Sequence, residues 1–139
     1  MRKRLMILGA SILQLPAIEK AIEMGLEVIA VDMNPKAVGF GVQGVKKEII
    51  STIDEQAIVE AAKKHKIDGI MTLATDMPMR SVAAVVKEMN LIGIDADTAF
   101  KATNKVEMRR ALQSYGVPIP KFFKVTNEEE YIEVVKQFN

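Results

Sequence analysis

Short apolar runs that alternate with helix-like patterns are the feature that most limits the possible folds of this chain. Leu5–Leu8 and Val28–Val31 are apolar at every position, which is typical of strands buried between two layers. Between them, apolar residues recur at helical spacing from Ile18 to Ile22, and Gly25 is placed to end that helix. This alternation predicts right-handed crossovers and a parallel sheet covered on both faces.

The same alternation continues to about residue 102. Glu48–Ile50, Gly69–Ala74 and Leu91–Ile94 are predicted as the third, fourth and fifth strands. Thr52 and Glu55 have the spacing of a capping box that opens the helix before the fourth strand. We therefore expect residues 1–102 to form a doubly wound, Rossmann-like α/β domain with the common strand order 3-2-1-4.

The pattern changes after residue 102. Asn104 with Glu107 predicts the start of a helix, Lys121–Val125 predicts a strand, and Thr126 predicts the start of a last helix. The apolar face of the last helix comprises Tyr131, Val134, Val135 and Phe138. Because one strand and two helices are too few for a separate core, we expect residues 103–139 to dock on the first domain, pair with another chain, or begin a second domain that is cut short.

Composition excludes several kinds of site and partner. The 139 residues include no Cys and a single His, which excludes disulfides, thiolate metal sites and two-histidine sites. That residue, His65, lies among lysines and is expected to be a solvated cation near a helix end. Lys and Arg number 19 and Asp and Glu 18, so a nucleic-acid partner is not expected. The basic start and the apolar run behind it are too short for a membrane span, so we expect a cytoplasmic protein.

Ligands of open parallel sheets bind beyond the carboxyl ends of the strands, where the strand order reverses. In the expected order, that crevice brings Gly9, Ala10 and Ser11 towards Thr75 and Asp76. A glycine permits close approach of a ligand to the backbone, and the following helix directs free N–H groups towards an anion. In the alternative interpretation Gly9 serves only a tight turn, and the two polar residues after the fourth strand cap the next helix. The two interpretations are compatible.

A dinucleotide site is a second possibility at this crevice. Asp32 ends the second strand, where dinucleotide-binding folds hold the ribose hydroxyls with an acid. The glycine fingerprint that begins at Gly9 is incomplete, because Ser11 and Gln14 stand where later glycines belong. Their side chains would hold a pyrophosphate away from the backbone. Lys105, in the first turn of a helix, is a candidate phosphate contact or an ordinary exposed lysine.

Two parts of the sequence resemble a known family. Leu5–Ser11, Gln14–Ile18 and Gly25–Asp32 resemble the N-terminal (pre-ATP-grasp) domain of ATP-grasp enzymes. Thr103–Pro120 looks like the segment that leads from that domain into the ATP-binding lobe of carbamoyl-phosphate synthase, biotin carboxylase and the purine-pathway members. The chain is most similar in pattern to carbamoyl-phosphate-synthase-like ligases.

The resemblance implies an ADP-forming ligase that phosphorylates a carboxylate and then transfers it to an amine. It implies that Lys105 contacts the ATP phosphates and that Gly9, Ala10, Ser11, Thr75 and Asp76 contact a small-molecule carboxylate substrate. The family's second lysine, its glycine-rich flap and its Mg²⁺ ligands would follow Asn139. We therefore expect no catalytic or metal-ligating residue here, and ATP and Mg²⁺ are expected to need the remaining ATP-grasp lobe for tight binding.

Two other functions stay open from the sequence. One is a Rossmann-like module that binds NAD or NADP. The other is a non-catalytic α/β domain that forms a homodimer through the apolar face of the last helix.

Overall fold

A computed structural model describes residues 2–138, which divide into two units between Thr103 and Asn104. The first unit contains one parallel sheet with the strand order β3-β2-β1-β4. Its strands are β1 (Arg4–Leu8), β2 (Glu27–Val31), β3 (Lys46–Glu48) and β4 (Gly69–Thr72). The doubly wound α/β fold and the 3-2-1-4 order expected from the sequence are confirmed.

Helices cover both faces of this sheet. They are α1 (Leu15–Glu23), α2 (Glu55–His65), α3 (Met79–Met89) and α4 (Ala96–Thr103). On one face Ile18 of α1 packs in a cluster with Ile7 and Val28. On the other face, Met6 and Leu8 belong to a cluster with residues of α2 and α3. Successive strand side chains point to opposite faces, so two covered faces explain why the strands are apolar at every position.

The end of α1 follows its sequence signal. Gly25 has a φ of 78°, a left-handed conformation that a residue with a side chain adopts at a cost. Its N–H donates to the carbonyl of Ile22 (2.9 Å), and the N–H of Leu26 donates to that of Ala21 (3.0 Å). These two bonds satisfy carbonyls at the helix end and direct the chain into β2.

The predicted fifth strand is wrong. Asn90 adopts a left-handed conformation with a φ of 52°, and the N–H of Leu91 donates to the carbonyl of Val86 (2.9 Å). Leu91 and Ile94 then pack against the core from a bend rather than from a strand. The apolar character of this segment therefore reflects packing on the core and not pairing in the sheet.

Two smaller predictions in the first unit also need correction. The third strand is Lys46–Glu48 rather than Glu48–Ile50, with Glu48 in register with Val31. The residue that caps α2 is Asp54 rather than Thr52, and its carboxylate accepts a hydrogen bond from the N–H of Ala57 (3.1 Å).

The second unit contains α5 (Lys105–Ser114), α6 (Glu128–Val135) and a 3-10 turn (Lys136–Phe138). The predicted cap at Asn104 is confirmed, since its side chain accepts from two N–H groups of the first turn of α5. Asn127, and not Thr126, caps α6. The predicted strand at Lys121–Val125 is wrong, because this segment has no strand partner among the described residues.

Aromatic and cationic side chains hold the second unit together. The rings of Phe123 and Phe138 meet edge to face at 5.6 Å, and Lys121 Nζ lies within 6 Å of both ring centres. None of residues 104–138 is buried, and Tyr131, Val135 and Phe138 remain exposed on α6 and the turn after it.

In the part of the chain that the structure describes, no helix has the length and apolar character needed to cross a membrane.

Candidate functional site

The carboxyl ends of the four strands lie along one edge of the sheet, because all four run parallel. Gly9–Ser11 follows β1 and Leu73–Asp76 follows β4, the strand next to it. Gln14 joins the two segments, since its side-chain Nε2 donates to the carbonyl of Leu73 (2.8 Å). The structure thus brings the predicted glycine loop to the end of the fourth strand.

Gln14 also fills the space above the glycine loop. Its side chain is buried, and its Oε1 accepts from Ser11 N (3.1 Å) and from Ser11 Oγ (2.6 Å). A Cβ added at Gly9 would lie 2.8 Å from Gln14 Cδ. In dinucleotide folds the glycine lets the pyrophosphate approach the backbone, whereas here the amide side chain occupies that side of Gly9. This geometry argues against the NAD(P)-binding alternative.

Asp32 braces the loop after β1. Its Oδ2 accepts from the N–H of Ala10 and its Oδ1 from the N–H of Asn34, both at 2.9 Å. The carbonyl of Ala10 accepts from the N–H of Gly39 (2.8 Å). Both carboxylate oxygens of Asp32 therefore accept hydrogen bonds within the protein. Asp32, Gly39 and Gln14 together hold the loop after β1.

Thr75 and Asp76 are exposed in the turn between β4 and α3. Ala74, just before them, has a φ of 62°, which is unusual for a residue other than glycine. The backbone carbonyl of Asp76 accepts from the N–H of Met79, and Pro78 occupies the N-cap position without a side-chain bond. The two polar side chains thus lie beyond the carboxyl end of β4, at the edge that carries the glycine loop.

Lys105 is the first residue of α5 and belongs to the second unit. Its side chain is exposed, and the N–H groups that follow it are capped by Asn104. A lysine at this end of a helix lies where N–H groups attract anions, next to the acidic Glu107 of the same turn.

The lysine neighbours of His65 predicted a solvated side chain, but the structure partly buries it. Its Nε2 lies 2.6 Å from Glu48 Oε1, and the two side chains are only 14% and 16% exposed. Lys64 Nζ lies 2.7 Å from the same oxygen, and this hydrogen bond, followed by that to His65, lowers the pKa of the Glu48 carboxyl. The cluster connects β3 to α2 and has a structural role.

Sequence reasoning missed a set of exposed apolar side chains at the carboxyl edge, here called the apolar collar. Its members are Ile12, Leu13, Met33, Ile49, Ile53 and Met77. Each follows one of the four strands, so the parallel sheet places them along one edge. Contiguous apolar patches mark interaction surfaces, which makes this edge a candidate for one. Among residues 2–138 no group of three or more acidic or histidine side chains is arranged to hold a metal ion.

The chain is similar to several known enzymes over most of its length. No protein-family model matches the chain. The carbamoyl phosphate synthase large chain of Clostridium acetobutylicum is 27% identical over 124 residues, which cover 84% of this chain and 12% of that protein. The formate-dependent phosphoribosylglycinamide formyltransferase of Methanocella arvoryzae is 25% identical over 134 residues, which cover 96% of this chain and 31% of that protein.

Solved structures of ATP-dependent ligases share the fold of this chain. Phosphoribosylglycinamide synthetase from Anaerococcus prevotii superposes with a TM-score of 0.78 and 27% identity, over 99% of this chain and 35% of that one. N5-carboxyaminoimidazole synthetase from Staphylococcus aureus, solved with ADP, shares the fold with a TM-score of 0.80 at 15% identity. The chain spans between 12% and 36% of the lengths of these proteins. Its homologues and structural neighbours are ATP-grasp ligases, and it corresponds to their N-terminal domain.

Proposed function

We propose that this chain is the substrate-side, N-terminal part of an ATP-dependent, ADP-forming carboxylate–amine ligase. The observation that carries the proposal is the match of nearly the whole chain to about one third of phosphoribosylglycinamide synthetase, in sequence and in fold. The position of Gln14 beside Gly9 also supports the proposal. Its side chain occupies the space in which this fold often binds the pyrophosphate of a dinucleotide.

Such a ligase works in two steps. The terminal phosphoryl group of ATP is transferred to a carboxylate oxygen, which gives ADP and an acyl phosphate. An amine then attacks the acyl carbon, a C–N bond forms, and inorganic phosphate leaves. Phosphoryl transfer depends mainly on positioning and charge neutralisation.

The residues of this chain are proposed to position the substrate. Gly9, Ala10 and Ser11 form a loop held by Asp32 and Gln14, so its backbone can orient a substrate without rearranging. Thr75 and Asp76 lie at the same edge of the sheet. A carboxylate such as that of Asp76 suits an amine better than an anion, which favours the nucleophile as its partner.

The remaining lobe of the ligase is proposed to cover the apolar collar. About two thirds of the A. prevotii enzyme lies outside the matched region. Burial of exposed apolar side chains favours association, and the loss of translational and side-chain freedom offsets part of that gain. The same lobe would hold Mg²⁺ with ATP, and use of ATP favours a cytoplasmic location.

Homodimer formation through the α6 face stays a prediction. If it is correct, sedimentation should show that the Val135→Asp variant associates more weakly than the unchanged chain.

Lys105 is proposed to contact the ATP phosphates. In a titration of the ¹⁵N-labelled chain with MgATP, we expect weak amide shifts centred on the first turn of α5. Lys105→Ala should remove them, and Lys136→Ala, which changes an exposed lysine paired with Glu133, should not. Shifts that persist in Lys105→Ala would contradict this assignment.

A further inference from the structure

Ala74 adopts a strained backbone conformation that no helix end explains. Its φ of 62° lies in the left-handed region, where the Cβ of any residue other than glycine is crowded. Among the described residues Lys66 and Asn90 share this region, and each ends a helix with its N–H bonded to helix carbonyls. Ala74 follows a strand and ends no helix, so another contact must hold it there.

The peptide plane before Ala74 is fixed by Gln14. That plane contains the carbonyl of Leu73 and the nitrogen of Ala74, and the Gln14 side-chain Nε2 donates to this carbonyl (2.8 Å). The φ of Ala74 is the rotation that directly follows the plane. Ala74 itself is exposed, so packing of its methyl group does not hold this rotation. The Gln14 amide therefore sets the β4 side of the turn.

The other side of the turn is fixed by the start of α3. The carbonyl of Asp76 accepts from the N–H of Met79 (3.0 Å), and the side chain of Pro78 is fully buried. Only Ala74 and Thr75 connect the held carbonyl of Leu73 to this held helix start. So short a connection leaves few combinations of backbone angles, and an unfavourable φ persists because both of its ends are held.

Gln14 is itself held in one orientation. Its side chain is buried, and its Oε1 faces two donors, the N–H (3.1 Å) and the hydroxyl (2.6 Å) of Ser11. A reversed amide would direct its NH₂ group at the Ser11 N–H and its oxygen at the Leu73 carbonyl, which are unfavourable contacts. Only a side chain with both a donor and an acceptor makes the two contacts. The amide thus transmits the position of the loop after β1 to the turn after β4.

We propose that Gln14 is a positioning residue: its amide holds Ala74 in the left-handed conformation and thereby sets where Thr75 and Asp76 stand relative to Ser11. The hydrogen bonds of the buried amide offset the cost of the strained alanine. The role of Thr75 and Asp76 as substrate contacts rests on the proposed function. The coupling between Gln14 and Ala74 does not, and it is measured without a ligand.

Gln14→Met tests the coupling, because methionine has a similar length and donates no hydrogen bond. In the unchanged ¹⁵N-labelled chain we expect a strong nuclear Overhauser effect between the amide proton and the α-proton of Ala74, which marks a positive φ. Gln14→Met should weaken this signal to the level of neighbouring residues, because Ala74 relaxes to a negative φ. Gln43→Met, which changes an exposed glutamine in the loop before β3, should leave it unchanged.

A double substitution separates positioning from a general effect on stability. In the unchanged chain, Ala74→Gly should raise the midpoint of thermal unfolding by a few degrees, because glycine adopts this φ without crowding. In the Gln14→Met background the same change should give no rise, because the strain is already released. If Gln14 merely added to stability, the effect of Ala74→Gly would be the same in both backgrounds.

Gln14→Glu tests the same coupling in one sample. An ionised carboxylate has no proton to donate to the Leu73 carbonyl, so the Ala74 signal should be weak near neutral pH. Protonation of the carboxyl in mild acid restores a donor, and the strong signal should return.

The proposal is overturned if the strong Ala74 signal persists in Gln14→Met, or in Gln14→Glu near neutral pH. It is also overturned if acid does not restore the signal in Gln14→Glu. A third contrary result is that Ala74→Gly gives no rise in the unchanged chain or an equal rise in both backgrounds. None of these results bears on the ligase assignment, because no substrate takes part in the measurements.

Discussion

At the scale of single residues, polar side chains inside the first unit connect strands to loops. Asp32 and Gln14 each hold two or more groups of the carboxyl edge, and Glu48 connects β3 to the end of α2. Charged hydrogen bonds of this kind are stronger than neutral ones, and a partner left buried and unpaired is costly. Their removal should therefore have measurable effects on stability.

Glu48→Gln tests the cluster with Lys64 and His65. The pKa of Glu48 lies below its ordinary value of 4.5, so the carboxylate stabilises the fold above that pH and loses the effect as the pH falls through the lowered folded-state pKa. At pH 7 the variant should lose about 1 kcal/mol of unfolding free energy, because Lys64 is exposed and the pair is partly screened. Urea unfolding from pH 7 to pH 3 should show the difference shrink with falling pH. A difference that stays constant would show that the charge of Glu48 is not involved.

Gly39→Ala tests the contact between the loop after β2 and the loop after β1. A Cβ at Gly39 would lie 2.9 Å from the carbonyl oxygen of Ala10 and 2.6 Å from Ile18 Cδ1. The backbone cannot yield as a flexible side chain does, so we expect a loss of about 1–3 kcal/mol in thermal unfolding. Gly41→Ala is the matched control, because nothing lies within 4 Å of its added Cβ. Equal stability of the two variants would contradict the packing described here.

At the scale of elements, the sequence was most informative where a strand is buried on both faces. Leu5–Leu8 and Val28–Val31 lie in β1 and β2, because only a covered parallel strand accommodates an unbroken apolar run. Leu91–Ile94 has a similar composition but packs on the core after a left-handed turn at Asn90. Apolar composition therefore reports burial, and pairing in a sheet depends on distant partners that a local pattern does not contain.

The candidate site shows the same limit. The convergence of Gly9–Ser11 with the end of β4 was predictable from strand order, and the incomplete glycine fingerprint already pointed to Gln14 as an obstacle to a pyrophosphate. The contact of Gln14 with Leu73 spans 59 positions and depends on the assembled sheet.

Asn104→Ala tests how far a cap stabilises an element without a buried core. The Asn104 side chain accepts from the N–H groups of Val106 and Glu107, and no residue of α5 is buried. Loss of the cap costs about 1 kcal/mol, so amide protection in α5 should fall about fivefold. Gln113→Ala, an exposed change on the same helix, should not lower protection. Unchanged exchange in Asn104→Ala would show that other contacts hold the start of α5.

At the scale of the whole molecule, the fold gathers the candidate site and several exposed apolar side chains at the carboxyl edge of the sheet. The braced loop after β1, the polar turn after β4 and the apolar collar share one edge of the sheet. Its relatives are longer enzymes of which this chain matches a part. A folded scaffold that presents both polar and apolar groups at one edge suits a substrate enclosed between lobes.

Calorimetric titration with NAD⁺ and NADP⁺ tests most directly whether this edge serves a substrate rather than a dinucleotide. Because Gln14 occupies the space beside Gly9, we expect no saturable heat from either compound in the micromolar range. Saturable micromolar binding of NAD⁺ or NADP⁺ would contradict the ligase account and would favour a dinucleotide-binding function.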